Sequence, residues 1–455
     1  MSQVKIIKFG GTSVKNAEAM EGVSQILKAE KAPAVVVLSA TAGTTDLLLQ
    51  MVSAAASGDL NTALELKNAL QNRHFELVHK LKLADDSELL GALREWLAKI
   101  EVLLKGVYYL GELTDRVKAT ISAMGELFSS RILASLLKRE GRRVCWLDIR
   151  EVMITDNNFL NAAPQLKTIR GKCRKLLAPE LRDGRFVLTQ GFIGATESGV
   201  TTVLGRGGSD YTAAILGFAL DADSVEIWTD VPGVMTADPR IVPSAYSLRE
   251  LSFTEAAELS FFGARVLHPS TLLPAMEKNI PVRVKNTLDP SDPGTLITRE
   301  AAHPGRVKAI AFRRHINVVT VESTRMLMAF GFLEKMFAVF ANYRIPVDLI
   351  STSEISVSLT VGETERLNDI AAELRKFSAV TIKEKMASIS LVGDSIKQEP
   401  AFLKTVFNAL DRVNLEMITF GASNNNLSFV TPEAVLEGTV LRLHEALFEK
   451  KGDFA

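Results

Sequence analysis

The feature that most limits the fold is a repeat near the end of the chain. Phe332 to Val361 (FLEKMFAVFANYRIPVDLISTSEISVSLTV) aligns without a gap on Phe402 to Thr431 (FLKTVFNALDRVNLEMITFGASNNNLSFVT). Phe332 then meets Phe402, Phe337 meets Phe407, Ser353 meets Ser423 and Ser358 meets Ser428. Each copy is preceded by an apolar strand, Val318–Glu322 or Ser388–Val392, and followed by a helical pattern. The unit reads βαββα, with a further strand at Val380–Lys383 in the first copy. One such unit cannot bury its apolar face alone, so the two are expected to pair sheets edge to edge. Ligand sites then arise where helix ends meet strand edges.

Ahead of the repeat the pattern is different. Strand patterns at Val4–Phe9, Ala34–Leu38, Val144–Ile149, Arg185–Ile193, Val225–Thr229, Pro281–Lys285 and Thr295–Thr298 alternate with helical ones. Asp115–Glu140 reads as one long helix capped by Gly141, and Phe253–Phe262 as another. This alternation predicts an α/β domain whose largely parallel sheet is covered by helices on both faces. Ala301-Ala302-His303-Pro304-Gly305 reads as the linker to the repeat. The expected domains are therefore 1–300, 301–385 and 386–455, the last two separate or interleaved.

Lys plus Arg and Asp plus Glu both number 53, which leaves no electrostatic footprint for nucleic acid or an anionic membrane. Cys145 and Cys173 form neither a metal-binding spacing nor a disulfide framework. A reducing, cytoplasmic setting is expected. No apolar run approaches the length of a membrane span, and Met1–Phe9 lacks a signal-peptide core.

Chemistry concentrates in three turns, two of them glycine-rich. Lys8-Phe9-Gly10-Gly11-Thr12-Ser13 closes the first strand, and Ser39 to Thr45, small and hydroxyl-rich, closes the second. Thr201 to Ala213 (TTVLGRGGSDYTA) leads through Gly205, Arg206, Gly207 and Gly208 into Ser209 and Asp210 and an apolar helix. A glycine turn feeding a helix start gathers free N–H groups into an anion site. Arg206 adds a two-pronged grip for a carboxylate or phosphate. Lys8 either reaches an anion in the first turn or is a solvated strand residue. Glu126, after Gly125 in a row of apolar and small residues, is either solvated or held for a cation. Ser and Asp favour helix starts, so Asp210 either caps its helix or orders Lys8. Neither G-x-x-x-x-G-K-[ST] nor G-x-G-x-x-G occurs. His74 and His79, five apart, read as surface residues.

Taken in order, KFGGTS, SATAGTTD, the Gly125-Glu126 pair, TTVLGRGGSDYTAA, WTDVPG and FGARVLHP resemble the aspartate kinases of the amino acid kinase family. The repeat resembles tandem ACT regulatory domains, and the first copy is most similar to the lysine-sensitive branch. The resemblance spans essentially the whole chain. It implies phosphoryl transfer from MgATP to the side-chain carboxylate of L-aspartate, the first step towards lysine, threonine and methionine. By resemblance, the catalytic residues are Lys8, Arg206 and Asp210. Aspartate is bound by Gly10, Gly11, Thr45, Glu126, Arg206 and Ser209. ATP is bound by Lys8, Gly10, Gly11, Thr229, Asp230, Met235, Arg240 and Arg265, with Mg2+ held mainly by the nucleotide phosphates and no metal-ligating protein cluster. The family carries lysine at Arg265 and tyrosine at Met235. Lysine, as effector, is expected in the first ACT unit at Met326, Ala329, Phe332, Leu333, Val347, Asp348, Ser353 and Glu354. Only that copy carries carboxylates there, because Ile418 and Asn424 stand at the places of Asp348 and Glu354. Relatives tend to have serine at Ala329 and Pro346. The resemblance also implies a homo-oligomer, dimer or tetramer, joined through the ACT units.

Two other classes compete. Another amino acid kinase would act on glutamate, acetylglutamate or a nucleotide, and the charge pair of Glu126 and Arg206 argues against an N-acetylated substrate. A non-catalytic amino-acid sensor would use only the ACT half and have no reason to keep Lys8, Arg206 and Glu126.

Overall fold

The computed structural model describes residues 4–263, 267, 269–300, 306–326, 330–399 and 401–449. They form two compact units. The first comprises the described residues of Met1–Val234, Arg249–Phe253 and Val266–Glu300. The second comprises those of Met235–Leu248, Thr254–Arg265 and Ala301–Ala455.

In the first unit ten strands run in chain order: β1 (Lys5–Phe9), β2 (Ala34–Leu38), β3 (Val144–Trp146), β4 (Phe186–Gln190), β5 (Ile193–Ala195), β6 (Thr201–Val203), β7 (Ser224–Thr229), β8 (Glu250–Ser252), β9 (Val282–Asn286) and β10 (Thr295–Thr298). Eight of them make one sheet in the order β3-β4-β2-β1-β7-β9-β10-β8. Every pairing is parallel except β9 with β10. β2 and β4 are buried along their whole length, as continuous apolar strands covered on both faces must be. β1 and β2 lie at the middle of the sheet, so the Lys8 and Ser39 turns emerge side by side from its carboxyl edge.

Three local readings change here. The pattern Asp115–Glu140 is two helices, Asp115–Ser122 and Met124–Arg139, meeting at Ala123. The strand expected over Arg185–Ile193 is broken after Gln190, where Phe192 at φ 68° turns the chain out of β4 into the β5–β6 hairpin. His74 is not on the surface. It is buried against the Phe128 ring, 4.8 Å between centroids, and burial pushes its pKa down to about 4. Its Nδ1 lies 2.9 Å from Leu70 O, a partner within its own helix that five-residue spacing does not show. His79 is exposed, as read.

In the second unit the repeat builds one six-stranded antiparallel sheet. Its strands are β11 (Ala309–Glu322), β12 (Ile350–Thr352), β13 (Ser356–Gly362), β14 (Ala379–Val392), β15 (Met417–Phe420) and β16 (Asn426–Pro432). The order is β12-β13-β11-β14-β16-β15. The strands expected at Val380–Lys383 and Ser388–Val392 are one, β14, and the strand at Val318–Glu322 begins earlier, at Ala309. Positive φ at His315 and Lys385, inside charged runs, interrupts the apolar pattern of each long strand without ending it. β14 pairs with β11 on one edge over both Ala379–Lys383 and Met386–Val392, with irregular register between them, and with β16 on the other edge through Met386–Val392, so the two repeats share one continuous sheet. Two cores follow. Val319, Val321, Met336, Phe340, Leu359 and Ile370 fill the first copy. Ile389, Leu391, Phe402, Val406, Phe429 and Val440 fill the second, joined there by Ala237 and Val242 from the segment Met235–Leu248.

Candidate active site

Where β1, β2 and β6 end, a cavity of about 380 Å3 opens. It is lined by Lys8 and Gly11, by Ser39 to Gly43 with Thr45 and Asp46, by Glu126 and Phe192, and by Gly205 to Asp210. The three turns singled out in the sequence thus converge on one hollow. Thr45 sits in the first turn of the helix Thr44–Ala56, which starts from Gly43. The Ala42 N–H donates to Gly11 O at 3.1 Å, locking the first two turns together. Gly10 is not among the lining residues, because its N–H donates inward to Trp228 O at 3.0 Å.

The Gly125-Glu126 pair has a steric cause. A Cβ on Gly125 would fall 2.7 Å from Ala40 Cβ, so only glycine lets the helix Met124–Arg139 press against the β2 turn. That approach puts Glu126 Oε1 within 3.2 Å of the Ala40 N–H, which donates to it, while Ser129 Oγ donates to Ser39 O at 2.7 Å. Glu126 is 3% exposed, and its Oε2 is buried with no hydrogen-bond partner among the described residues. Burial pushes its carboxyl up to about 8, so near neutral pH it holds a proton until a cation arrives.

Lys8 and Asp210 resolve an ambiguity of the sequence. The helix Gly208–Leu220 is entered through Gly207 at φ 71°, with no side-chain cap. Asp210 is therefore not the cap but lies in the first turn, where its Oδ1 is 2.5 Å from Lys8 Nζ. Both side chains are largely buried, so the pair fixes the lysine head at the cavity wall. Arg206 lies exposed in the turn ahead of the helix and has no acidic partner among the described residues. Ser209 lines the cavity beside it.

Sequence reasoning missed Phe192 and Asp46. Phe192 carries a left-handed backbone uncommon for an aromatic residue, held by its N–H donating to Thr212 Oγ1 at 3.1 Å and its carbonyl accepting from Leu204 N at 2.8 Å. Gly191 beside it is a local cue to a turn, but it does not single out Phe192 as the left-handed residue. An orphaned buried carboxyl oxygen, a free guanidinium and a paired lysine around one small cavity suit a small zwitterion with a further anionic group.

The other expected residues lie elsewhere. Thr229 ends β7, donates its hydroxyl to Asp230 Oδ1 at 3.2 Å, and accepts from Thr287 through its carbonyl. Met235 is half-buried and bridges to Ser247, while Arg240 is exposed and paired with Asp238 at 2.5 Å. Arg265 and Ala329 lie outside the described residues. In the first repeat, Met326, Phe332 and Val347 pack against the core and Leu333 is 44% exposed. Asp348 is paired with Arg313 at 2.7 Å, a partner that sequence spacing does not show. Ser353 bonds Ser356, and Glu354 is exposed. The corresponding loop of the second repeat is engaged differently. There Ser423 Oγ and Asn426 Nδ2 donate to the carboxylate of Glu258 at 2.8 and 2.6 Å.

Comparison with known proteins adds three findings. The family model for the amino acid kinase family matches residues 3–286, and that for an ACT domain matches 319–367 and 389–447. The lysine-sensitive aspartokinase 3 of Escherichia coli is 38% identical over 99% of this chain and 100% of its own length. Two crystal structures of E. coli aspartokinase III, each 38% identical, cover 98% of this chain and 100% of their own. The one with aspartate and ADP, in the R-state, gives a TM-score of 0.88, and the one with lysine and aspartate, in the T-state, 0.82.

Proposed function

The chain belongs to the amino acid kinase family and, within it, to the aspartokinases, and on that premise we propose that it phosphorylates the side-chain carboxylate of L-aspartate with MgATP. The bond between the β,γ-bridging oxygen and the γ-phosphorus breaks, a carboxylate oxygen takes its place on phosphorus, and the products are 4-phospho-L-aspartate and ADP. The product is the activated acid needed for lysine, threonine and methionine synthesis.

The observation that carries this reading is the unpartnered, buried Oε2 of Glu126 in the same cavity as the unpaired Arg206. The substrate ammonium takes Glu126, which ionises as it gains that partner. Arg206 grips a substrate carboxylate, while Thr45, Ser209 and Gly11 add hydrogen bonds. Lys8, steadied by Asp210, faces the transferring phosphoryl group and offsets its charge. No general base is needed, because a carboxylate nucleophile is already ionised at neutral pH. Thr229, Asp230, Met235, Arg240 and Arg265 are assigned to the nucleotide. Mg2+ enters with the nucleotide, bound to its phosphates.

L-Lysine is the feedback inhibitor, and its site is the first repeat, around Phe332, Asp348, Ser353 and Glu354. Its equivalent in the second repeat is taken by Glu258. The enzyme works in the cytoplasm as a homo-oligomer joined through its ACT repeats. The test is ADP release over a panel of aspartate, glutamate and N-acetylglutamate. The reading expects turnover with aspartate alone, and turnover with another member in its place overturns it.

A further inference from the structure

The segment Met235–Leu248 carries two of the residues assigned to the nucleotide, yet it is built into the second repeat. Ala237 and Val242 are buried in that repeat's core with Leu436, Val440 and Leu443. At the base of the segment stands Thr236, fully buried. Its N–H donates to Tyr246 O at 3.0 Å, and its carbonyl accepts from Ile310 N at 2.7 Å. Its hydroxyl accepts from the Tyr246 N–H at 3.2 Å and lies 2.9 Å from Nε2 of His444.

His444 ends the helix Leu436–His444 and is itself fully buried. Its Nδ1 lies 2.9 Å from Glu449 Oε1, which also accepts from Ser244 Oγ at 2.5 Å. The Glu449 carboxylate can only accept, so Nδ1 carries a proton and donates to it, and in the neutral imidazole Nε2 then accepts from the Thr236 hydroxyl. The Phe448 ring packs on the imidazole at 4.8 Å and meets Tyr246 edge-on at 6.4 Å. Both ends of the segment, Thr236 and Ser244, are thus held from the last helical stretch of the chain. Arg240, between them, is exposed and among the described residues pairs with Asp238. The position of Arg240 therefore depends on how its two roots are held.

We infer that His444 is a positioning residue for the nucleotide, holding the Met235–Arg240 segment through Thr236 from the C-terminal helix of the second repeat. The inference rests on the assignment of that segment to ATP. A histidine with both nitrogens used fixes two partners in direction, which a purely apolar helix end would not do. The role reaches the reaction through binding and leaves the aspartate cavity alone.

The experiment uses the full chain and MgATP. Thr236→Val keeps shape and removes the hydroxyl, Thr236→Ser keeps the hydroxyl, His444→Gln breaks the imidazole bridge, and Arg240→Ala checks the nucleotide assignment. Thr236→Val and His444→Gln should each raise KM for MgATP about tenfold. At saturating ATP, kcat and the aspartate KM should stay within about twofold of wild type. Thr236→Ser should restore the wild-type value, and the double variant should be no worse than either single one, as for two members of one contact. If Arg240→Ala raises the MgATP KM while Thr236→Val and His444→Gln do not, the inference fails alone. If none of the three changes it, the nucleotide assignment fails and takes the inference with it. Parallel losses in aspartate KM, kcat and melting temperature would assign His444 a merely structural role and also overturn it.

Discussion

Replacing Glu126 with glutamine tests the substrate grip at the residue whose environment is most unusual. Its carboxyl is buried, has one hydrogen bond from Ala40 N–H and one unpartnered oxygen, and is pushed up to about 8. At pH 7 roughly nine molecules in ten therefore carry the proton. A substrate ammonium needs the ionised form, so aspartate must displace that proton, at a cost of about 1 kcal/mol at pH 7 and nothing well above pH 8. Two consequences follow for wild type. Aspartate binding at pH 7 should release about 0.9 proton, and its dissociation constant should rise about tenfold between pH 7 and pH 6. Glu126→Gln keeps the volume and removes the titration, so proton release should vanish and the pH slope flatten. At pH 8 the variant should bind about 2 kcal/mol more weakly, roughly 30-fold, because the ammonium has lost its charged partner. Titration calorimetry in two buffers of different ionisation enthalpy reads the protons directly. The ligand-free fold carries the same signature. A carboxyl raised on folding lends stability below about pH 4.5 that is lost as pH rises towards 8, about 3 kcal/mol by pH 7, and the variant should lack that decline. No proton release in wild type, or an equal pH slope in the variant, would refute the reasoning.

Arg206→Ala should lower aspartate kcat/KM by about 2–4 kcal/mol, tens- to several-hundred-fold, while MgATP KM holds. Equal loss on both substrates would place Arg206 elsewhere. Lys8→Ala should lower kcat at saturating substrates about 10²–10³-fold with a modest change in aspartate KM; normal turnover would return Lys8 to the role of a strand residue held by Asp210. Lysine should inhibit wild type but not Asp348→Ala. A lysine ammonium has to share Asp348 with Arg313, so Arg313→Met should lower the lysine concentration that inhibits. Unchanged inhibition in Asp348→Ala rules out the first-repeat site.

The cavity was legible because its parts are short motifs with steric causes. Gly125 is what close packing of a helix on Ala40 and Thr44 demands, and Gly43 and Gly207 are what the left-handed entries to two helices demand. The six-stranded sheet was legible only in part. Repeat periodicity gave its helices and short strands, but the charged runs around His315 and Lys385 hid the continuity of β11 and β14. Phe192, the Asp348–Arg313 pair and the burial of His74 depend on residues distant in sequence or on one backbone angle. No periodicity registers those. The choice between a cap and an ion pair for Asp210 likewise needed the register of β1 against its helix.

The most direct test of the account is to trap the product. An acyl phosphate reacts with hydroxylamine to give a hydroxamate, and mass spectrometry with a fragmentation standard distinguishes the two carboxyl positions of aspartate. The wild-type enzyme with MgATP, L-aspartate and hydroxylamine should yield the β-hydroxamate, and Arg206→Ala and Glu126→Gln should both yield far less. An α-hydroxamate, or ADP release with no hydroxamate at all, would contradict phosphoryl transfer to the side-chain carboxylate.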